Sequence, residues 1–375
     1  MRIVIAIDKF KGSASSMQLA QCIEHTLVSL IPNANIITVP IADGGDGTML
    51  AIKDILGNEA VLRKVTAHRP ILNLKPVTAQ YLLDETNHTA YMDLATTSGL
   101  TLVPTESRDI MSASTFGTGE MITDALKHGA KHIVMGLGGS ATCDGAMGLL
   151  AALGYEFLDA ERHILPPCGD NLRHIAHIDT SGIDNRLNNT RFTLLTDVDN
   201  PLTGPRGAAA IFAPQKGATP EQVDLLEQGL KNFARFMPES IVTSHGAGAA
   251  GGVAAGMSAF LGANITPGID YLLQMARFED IIADADLIIT GEGRIDEQTA
   301  MGKAPAGVLK AAKRLNIPVI ALCGSLAPGI DTAGMGFSKI VEVTPHDMPL
   351  EQAMDTTTTL TNVANAIRTL ISTLS

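Results

Sequence analysis

A chain of 375 residues with a hydrophobic share of 45% and a charged share of 18% is expected to build two cores, and these shares exclude a disordered chain. The formal charge of −12 and a pI near 5.2 exclude the clustered cationic face that nucleic acid requires. No apolar run is long enough to span a bilayer. Cys22, Cys143, Cys168 and Cys323 are too scattered for a zinc site or a disulfide framework, which suits reduced thiols in a cytoplasmic protein.

Residues 1–7 read as a buried first strand rather than a secretory leader, because the apolar core is short and runs straight into Asp8. A helix over 16–30 follows, with Leu19, Ile23, Leu27 and Leu30 on one face and Ser13, Ser15 or Ser16 as its cap. A strand over 35–41 and a helix over 46–56, stopped by Gly57, complete a βαβα start, the pattern of a parallel, doubly wound sheet. Three strands without intervening helices come next, at 61–66, 77–83 and 89–93, as in a mixed sheet. A helix is expected over 119–128, a strand over 132–135, a helix around 146–152, a strand over 191–196 and a polar helix around 221–236. From 269 onward strands at 287–290, 318–323 and 340–343 alternate with a helix at 304–315, and 350–374 reads as one closing helix. The economical division is a discontinuous α/β domain, 1–58 plus 268–375, with a second α/β domain, 59–267, inserted at a loop.

Open parallel sheets bind ligands at the carboxyl ends of their strands, so the residues that follow each strand carry the functional argument. These are Asp8-Lys9-Phe10-Lys11-Gly12-Ser13, Ala42-Asp43-Gly44-Gly45-Asp46-Gly47-Thr48, Asp197-Val198-Asp199-Asn200-Pro201 and Gly291-Glu292-Gly293-Arg294-Ile295-Asp296. Any one of these acids could equally be a helix cap or a turn residue. Four acid-bearing loops on one edge repel one another unless a cation joins them, and Mg²⁺ is the cation that takes a few carboxylates together with phosphate oxygens. Gly136-Leu137-Gly138-Gly139-Ser140-Ala141-Thr142 after an apolar strand either cradles phosphate or matches G-x-G-x-x-A. The second option supports an alternative, an NAD(P)-dependent oxidoreductase of a small hydroxy acid. A two-lobed binding protein without chemistry is a further alternative. Walker A, protein-kinase and nucleophile-elbow signatures are absent from the sequence.

Taken in order, these stretches resemble the bacterial glycerate kinase family, of the glycerate 2-kinase type. Gln215-Lys216-Gly217-Ala218, 246–252 and 291–303 belong to the same resemblance, which continues to the end of the chain. Two departures stand out: Asp46 where the family usually has Glu, and Cys143 and Ala146 within the usual S-A-T-N-D-G-G. The resemblance implies a flavodoxin-like domain with an inserted α/β domain and an active site in the cleft between them. It implies ATP and Mg²⁺ as cofactors, D-glycerate as substrate, 2-phosphoglycerate favoured over 3-phosphoglycerate as product, and leaves room for a homo-oligomer.

Phosphoryl transfer needs a group that accepts the attacking hydroxyl's proton, and charge to steady the phosphate. Asp197 is the first candidate for the proton, Asp199 the second, with Lys9 also assigned to catalysis. Asp43, Asp46, Glu292 and Asp296 are candidate Mg²⁺ ligands. Lys11, Ser13, Gly138, Gly139, Ser140, Thr142, Asn200 and Arg294 are candidates for binding phosphate or the glycerate carboxylate.

Overall fold

The computed structural model describes residues 1–45, 47–297, 299 and 303–374. Its strands in chain order are β1 (Arg2–Ile7), β2 (Asn35–Thr38), β3 (Val61–Ala67), β4 (Val77–Asp84), β5 (Thr89–Asp93), β6 (His132–Gly136) and β7 (Glu156–Leu158). They continue with β8 (His177–Asp179), β9 (Arg191–Thr196), β10 (Asn264–Pro267), β11 (Leu287–Ile295), β12 (Val319–Leu326) and β13 (Lys339–Glu342). Two compact units result, one made of Met1–Asp43 with Pro267–Ser375, the other of Gly44–Thr266.

In the first unit a five-stranded sheet runs β13-β12-β11-β1-β2, every pair parallel. Counted in chain order within that sheet, this is 2-1-3-4-5, the flavodoxin-like arrangement. Both faces are covered, as a parallel sheet demands. Ile3, Ile5 and Ile7 of β1 meet Leu19, Ile23 and Leu27 of the Ser16–Leu30 helix together with Val363 and Ile367 of the Thr356–Leu374 helix. Val4 and Ala6, pointing the other way, meet Ile269, Phe278, Val308 and Ala312. Of the three candidate serines, Ser15 caps the first helix: its Oγ accepts from the Gln18 amide at 3.2 Å, while the Gln18 side chain accepts from the Ser15 amide at 2.9 Å. A reciprocal cap of this kind satisfies two amides that would otherwise lack partners.

The second unit holds a mixed sheet, β10-β9-β6-β5-β4-β3. β3, β4 and β5 form an antiparallel meander, whereas β5, β6 and β9 are parallel. The parallel part places Asp93, Gly136 and Leu195 in one row at the carboxyl edge. One large core of aliphatic side chains backs this sheet, with Phe157, Phe192 and Phe233 buried in it.

Four expectations change. The 46–56 helix was assigned to the first domain, but Thr48–Leu56 belongs to the second unit, because Asp93 accepts hydrogen bonds from the amides of Gly47 (3.0 Å) and Met49 (3.1 Å) at its start. Gly291-Glu292-Gly293-Arg294 is not a loop. β11 continues through Ile295, paired rung by rung with β12 as far as Leu326. Gly291 permits this, since a Cβ there would stand 2.2 Å from the Leu322 carbonyl oxygen. The closing helix is broken into Leu350–Ala353 and Thr356–Leu374, Asp355 accepting from the Thr358 amide at 2.8 Å to cap the second piece. The second strand is shorter than expected, ending at Thr38.

Candidate active site

In the flavodoxin-like order the topological switch point lies between β1 and β11. The Asp8 amide donates to the Gly291 carbonyl at 3.0 Å, so Asp8 and Glu292 follow one another across that point. They are only 5% and 8% exposed. Asp8 accepts from the Lys9 amide at 2.8 Å and from the Ser16 hydroxyl at 3.4 Å. Burial, then the Asp43 charge, with Glu292 adding to both, drives its carboxyl up to about 7 against the pull of Lys9. Burial likewise raises the Glu292 carboxyl, opposed by Thr299, whose hydroxyl donates to Oε1 at 2.6 Å, and by Lys303. Lys303 Nζ lies 3.4 Å from Glu292 and 3.5 Å from Asp296, whose amide is held by the Thr299 hydroxyl at 3.0 Å. Asp8, Asp43, Glu292 and Asp296 thus form one acidic group, with Lys9 acting on Asp8 and Lys303 on Glu292 and Asp296.

Asp8 and Lys303 were missed as site residues. Asp8 stood in a quoted motif, but its burial beside Glu292 follows from the pairing of two strands from opposite ends of the chain, which no local spacing reveals. Lys303 closes the 291–303 stretch of the family resemblance without a role of its own there; it precedes the Ala304–Arg314 helix and reaches back to β11. Lys9 is partly exposed, while Lys11 and Arg294 are exposed. The Ser13 hydroxyl donates to the Phe10 carbonyl at 3.2 Å, closing a turn that Gly12 makes possible with a φ of 82°. Asp46 lies outside the described residues.

In the second unit the glycine-rich stretch does not open a helix. After β6 the chain makes a turn at Gly138-Gly139, a bridge at Ser140, and reaches helix only at Met147–Ala152. A dinucleotide fingerprint leads directly into its helix, so this geometry removes the basis for the nicotinamide alternative. The stretch is stitched in place: Leu137 donates to the carbonyls of Gly44 (3.1 Å) and Leu195 (3.0 Å), Leu100 donates to Gly139 (2.9 Å) and Ala141 donates to Ser98 (2.8 Å). Gly139 has a φ of 75°, and no acceptor among the described residues takes the amides of Gly138, Gly139 or Ser140. Consecutive amides in a turn that passes through a left-handed glycine form a concavity suited to an anion.

Gly136, at the root of this turn, is required by close approach. A Cβ there would lie 2.8 Å from Asp93 Oδ1 and 3.2 Å from the Gly44 carbonyl oxygen. Asp144, fully buried, accepts at Oδ2 from the Thr115 amide (2.7 Å), the Thr115 hydroxyl (2.8 Å) and the Gly148 amide (3.1 Å). At the next strand end Asp197 follows β9 on the same edge as Asp93 and Gly136. Asp199 is exposed and paired with Arg206 at 3.2 Å, and the Asn200 amide donates to the Arg206 carbonyl at 2.8 Å, which makes both part of a surface turn.

A groove of about 470 Å³ on the first unit is lined by Asp270, Arg277, Glu279, Lys310 and Arg314 among others. Its cations face carboxylates, Lys310 to Asp270, Arg277 to Asp280 and Arg314 to Glu279, and it contains none of the strand-end acids. It is a surface furrow apart from the chemistry.

The sequence pattern of the Glycerate kinase family matches residues 3–374. The chain is 41% identical over 360 residues to "Glycerate kinase" of Bacillus subtilis strain 168, covering 95% of this chain and 93% of that one. It is 38% identical to "Glycerate 2-kinase" of Escherichia coli K12, covering 100% and 98%. A crystal structure described as "putative glycerate kinase 2" from Salmonella typhimurium LT2 superposes with a TM-score of 0.83 at 39% identity, covering 100% of this chain and 98% of that one. Fold and relatives define an α/β kinase whose phosphoryl acceptor is an alcohol group. The chain belongs to the glycerate kinase family.

Proposed function

We propose that this kinase transfers the γ-phosphoryl group of ATP to a hydroxyl of D-glycerate, giving 2-phosphoglycerate in preference to 3-phosphoglycerate. The observation that carries the reading is the near-buried pair Asp8 and Glu292 at the switch point, where burial and the neighbouring carboxylate of Asp43 outweigh the pull of Lys9 on Asp8. The choice of carbon 2 rests on the name of the Escherichia coli relative.

The donors at that point are all carboxylate oxygens, and a carboxyl raised to about 7 by burial and then by the Asp43 charge is one that a cation would restore to its charged form, so the residues fit Mg²⁺. Asp8, Asp43, Glu292 and Asp296 would hold it. When bound it would supply charge to offset that of the phosphates. Thr299 and Lys303 orient Glu292, and Lys303 spans Glu292 and Asp296. Lys9, Lys11 and Arg294 bring positive charge to the phosphates or to the glycerate carboxylate. In the second unit the amides of Gly138 to Ser140 and the Ser140 hydroxyl donate to an anionic group. Asp197 accepts the proton of the attacking hydroxyl, and a positioned carboxylate in this role contributes about 10² to 10⁴ in rate.

Incubation with Mg-ATP and D-glycerate, followed by phosphorus NMR of the product, tests the whole reading. A glycerate-dependent 2-phosphoglycerate signal is expected. A 3-phosphoglycerate signal would overturn the positional assignment, and ATP left intact would overturn the substrate.

A further inference from the structure

Lys216 is 4% exposed, a rare place for an ammonium. It ends the short Pro214–Lys216 turn, and its Nζ donates to the Ser140 hydroxyl oxygen and to the Thr142 carbonyl, each at 2.7 Å. Asp144 and Cys143 are the charged or ionisable neighbours on the loop, and Arg108 and Asp109 line the small cavity that Lys216 also lines. Nothing in the reaction as described uses this lysine, yet it touches the proposed anion loop at two atoms.

The chemistry of the two partners is asymmetric. An ammonium has only donors, so Ser140 Oγ accepts, and its own hydrogen must point away from Lys216. The Thr142 carbonyl is likewise turned inward. On its other side the same loop is held by the left-handed run Ala250, Gly251 and Gly252: the Gly145 amide donates to the Gly251 carbonyl at 3.1 Å, and a Cβ on Gly251 would come within 2.2 Å of the Thr142 carbonyl oxygen. The loop is therefore clamped by a charge on one side and by backbone on the other.

We propose that Lys216 is a positioning residue, a buried ammonium that turns the Ser140 hydroxyl into an obligate donor toward the anion and holds the 138–142 turn in its anion-binding shape. This rests on the reading of that turn as an anion site. Burial lowers the ammonium's pKa to about 8, and Cys143 and Asp144 oppose the shift. A neutral amine can accept from Ser140 and would draw its hydrogen inward, so the device weakens above that pH. The Cys143 thiol, pushed up to about 12 by burial, does not titrate in the same window.

Steady-state kinetics of K216M, S140A and the double variant on the full chain, with circular dichroism melting, test it. K216M is expected to melt within a few degrees of the parent, because a desolvated charge has been removed, and to raise KM for one co-substrate about tenfold or more with a smaller change in kcat. In the S140A background the same substitution should change KM far less, since its route of action is gone. The parent's KM for that co-substrate should climb between pH 8 and 9.5, and the K216M profile should be flat. A K216M KM within twofold of the parent, or fold-changes that simply multiply in the double variant, would overturn the proposal. Should K216M fail to fold, a parent KM that stays level through pH 9.5 would overturn it on its own. S140A without effect on either KM, by contrast, would remove the anion-loop reading first and this inference with it.

Discussion

Asp8 and Glu292 stand side by side where β1 ends against the middle of β11, joined through the hydrogen bond from the Asp8 amide to the Gly291 carbonyl at 3.0 Å. Their carboxylates are nearly buried, and Asp43 adds a third negative charge. Like-charged carboxylates crowded in such a position, only partly offset by Lys9 and Lys303, destabilise the fold, and proteins keep an arrangement of that kind chiefly at functional sites. The pairing of the strands thus imposes an electrostatic cost that a bound cation would offset.

That cost has a definite pH window. The Asp8 carboxyl binds its proton up to about pH 7 in the folded chain but only to its ordinary 3.8 when unfolded. Between those values the folded state holds more protons, so stability falls as pH rises from about 4 to 7 and levels off above. Three pH units correspond to a penalty on the order of 4 kcal/mol at full development. D8N should remove it. In EDTA the variant is expected to melt above the parent at pH 8, with the gap closing toward pH 4, while its activity is lost. Equal melting temperatures at pH 8 would show that the acids do not strain the apo fold.

Glu292 and Asp43 are argued to share the cation with Asp8. E292Q and D43N should each lower kcat by about a hundredfold and raise the Mg²⁺ concentration for half-maximal rate, the loss of a charged ligand costing several kcal/mol of charge stabilisation at the transition state. A Mg²⁺ titration of the rate checks this, and unchanged half-saturation in both variants would remove these residues from the metal.

Gly136 admits no side chain between Asp93 and the Gly44 and Gly45 carbonyls. G136A should therefore push Asp93 off the Gly47 and Met49 amides that it holds. Overpacking of this kind costs roughly 1–3 kcal/mol. Urea denaturation should show a lower midpoint; Gly136 lies in β6 without a positive φ, so its loss comes from packing, whereas G129A, with a φ of 89° and a Cβ that meets nothing within 4 Å, gives the size of a pure backbone-strain effect. A loss for G136A no larger than that for G129A would refute the packing argument.

The parallel sheet was legible because β1, β2, β12 and their helices carry unbroken aliphatic runs and caps that local pattern reads directly. The four acidic motifs were legible as motifs for the same reason. What the chain's own pattern did not reveal was which unit each half of Ala42-Asp43-Gly44-Gly45-Asp46-Gly47 belongs to, for Asp43 closes the first unit and Gly44 begins the second. Nor could it show that β11 runs on through Glu292, since that extension depends on a long partner, β12, and on a glycine that lets its carbonyl approach. Asp8 and Lys216 stand in quoted motifs without a role of their own because their character comes from burial: a lysine in Gln215-Lys216-Gly217-Ala218 looks like any loop cation until the fold withdraws water from it.

Asp197 and Asp199, the first and second candidates for the proton, lie two residues apart after β9, yet their surroundings differ. Asp199 is exposed and paired with Arg206, a surface ion pair worth about 1 kcal/mol or less. D199N should accordingly leave kcat within about threefold and the melting temperature almost unchanged. Asp197 sits at the end of β9, on the edge that also carries Asp93 and Gly136, where a carboxylate can serve as proton acceptor. D197N should lower kcat by about 10² to 10⁴ with nucleotide affinity preserved, because the amide keeps the shape but cannot take the proton. Coupled assays on both variants, with nucleotide binding followed by calorimetry, separate the two roles. Equal losses in D197N and D199N would mean that the turn as a whole, and not one carboxylate, supports the reaction.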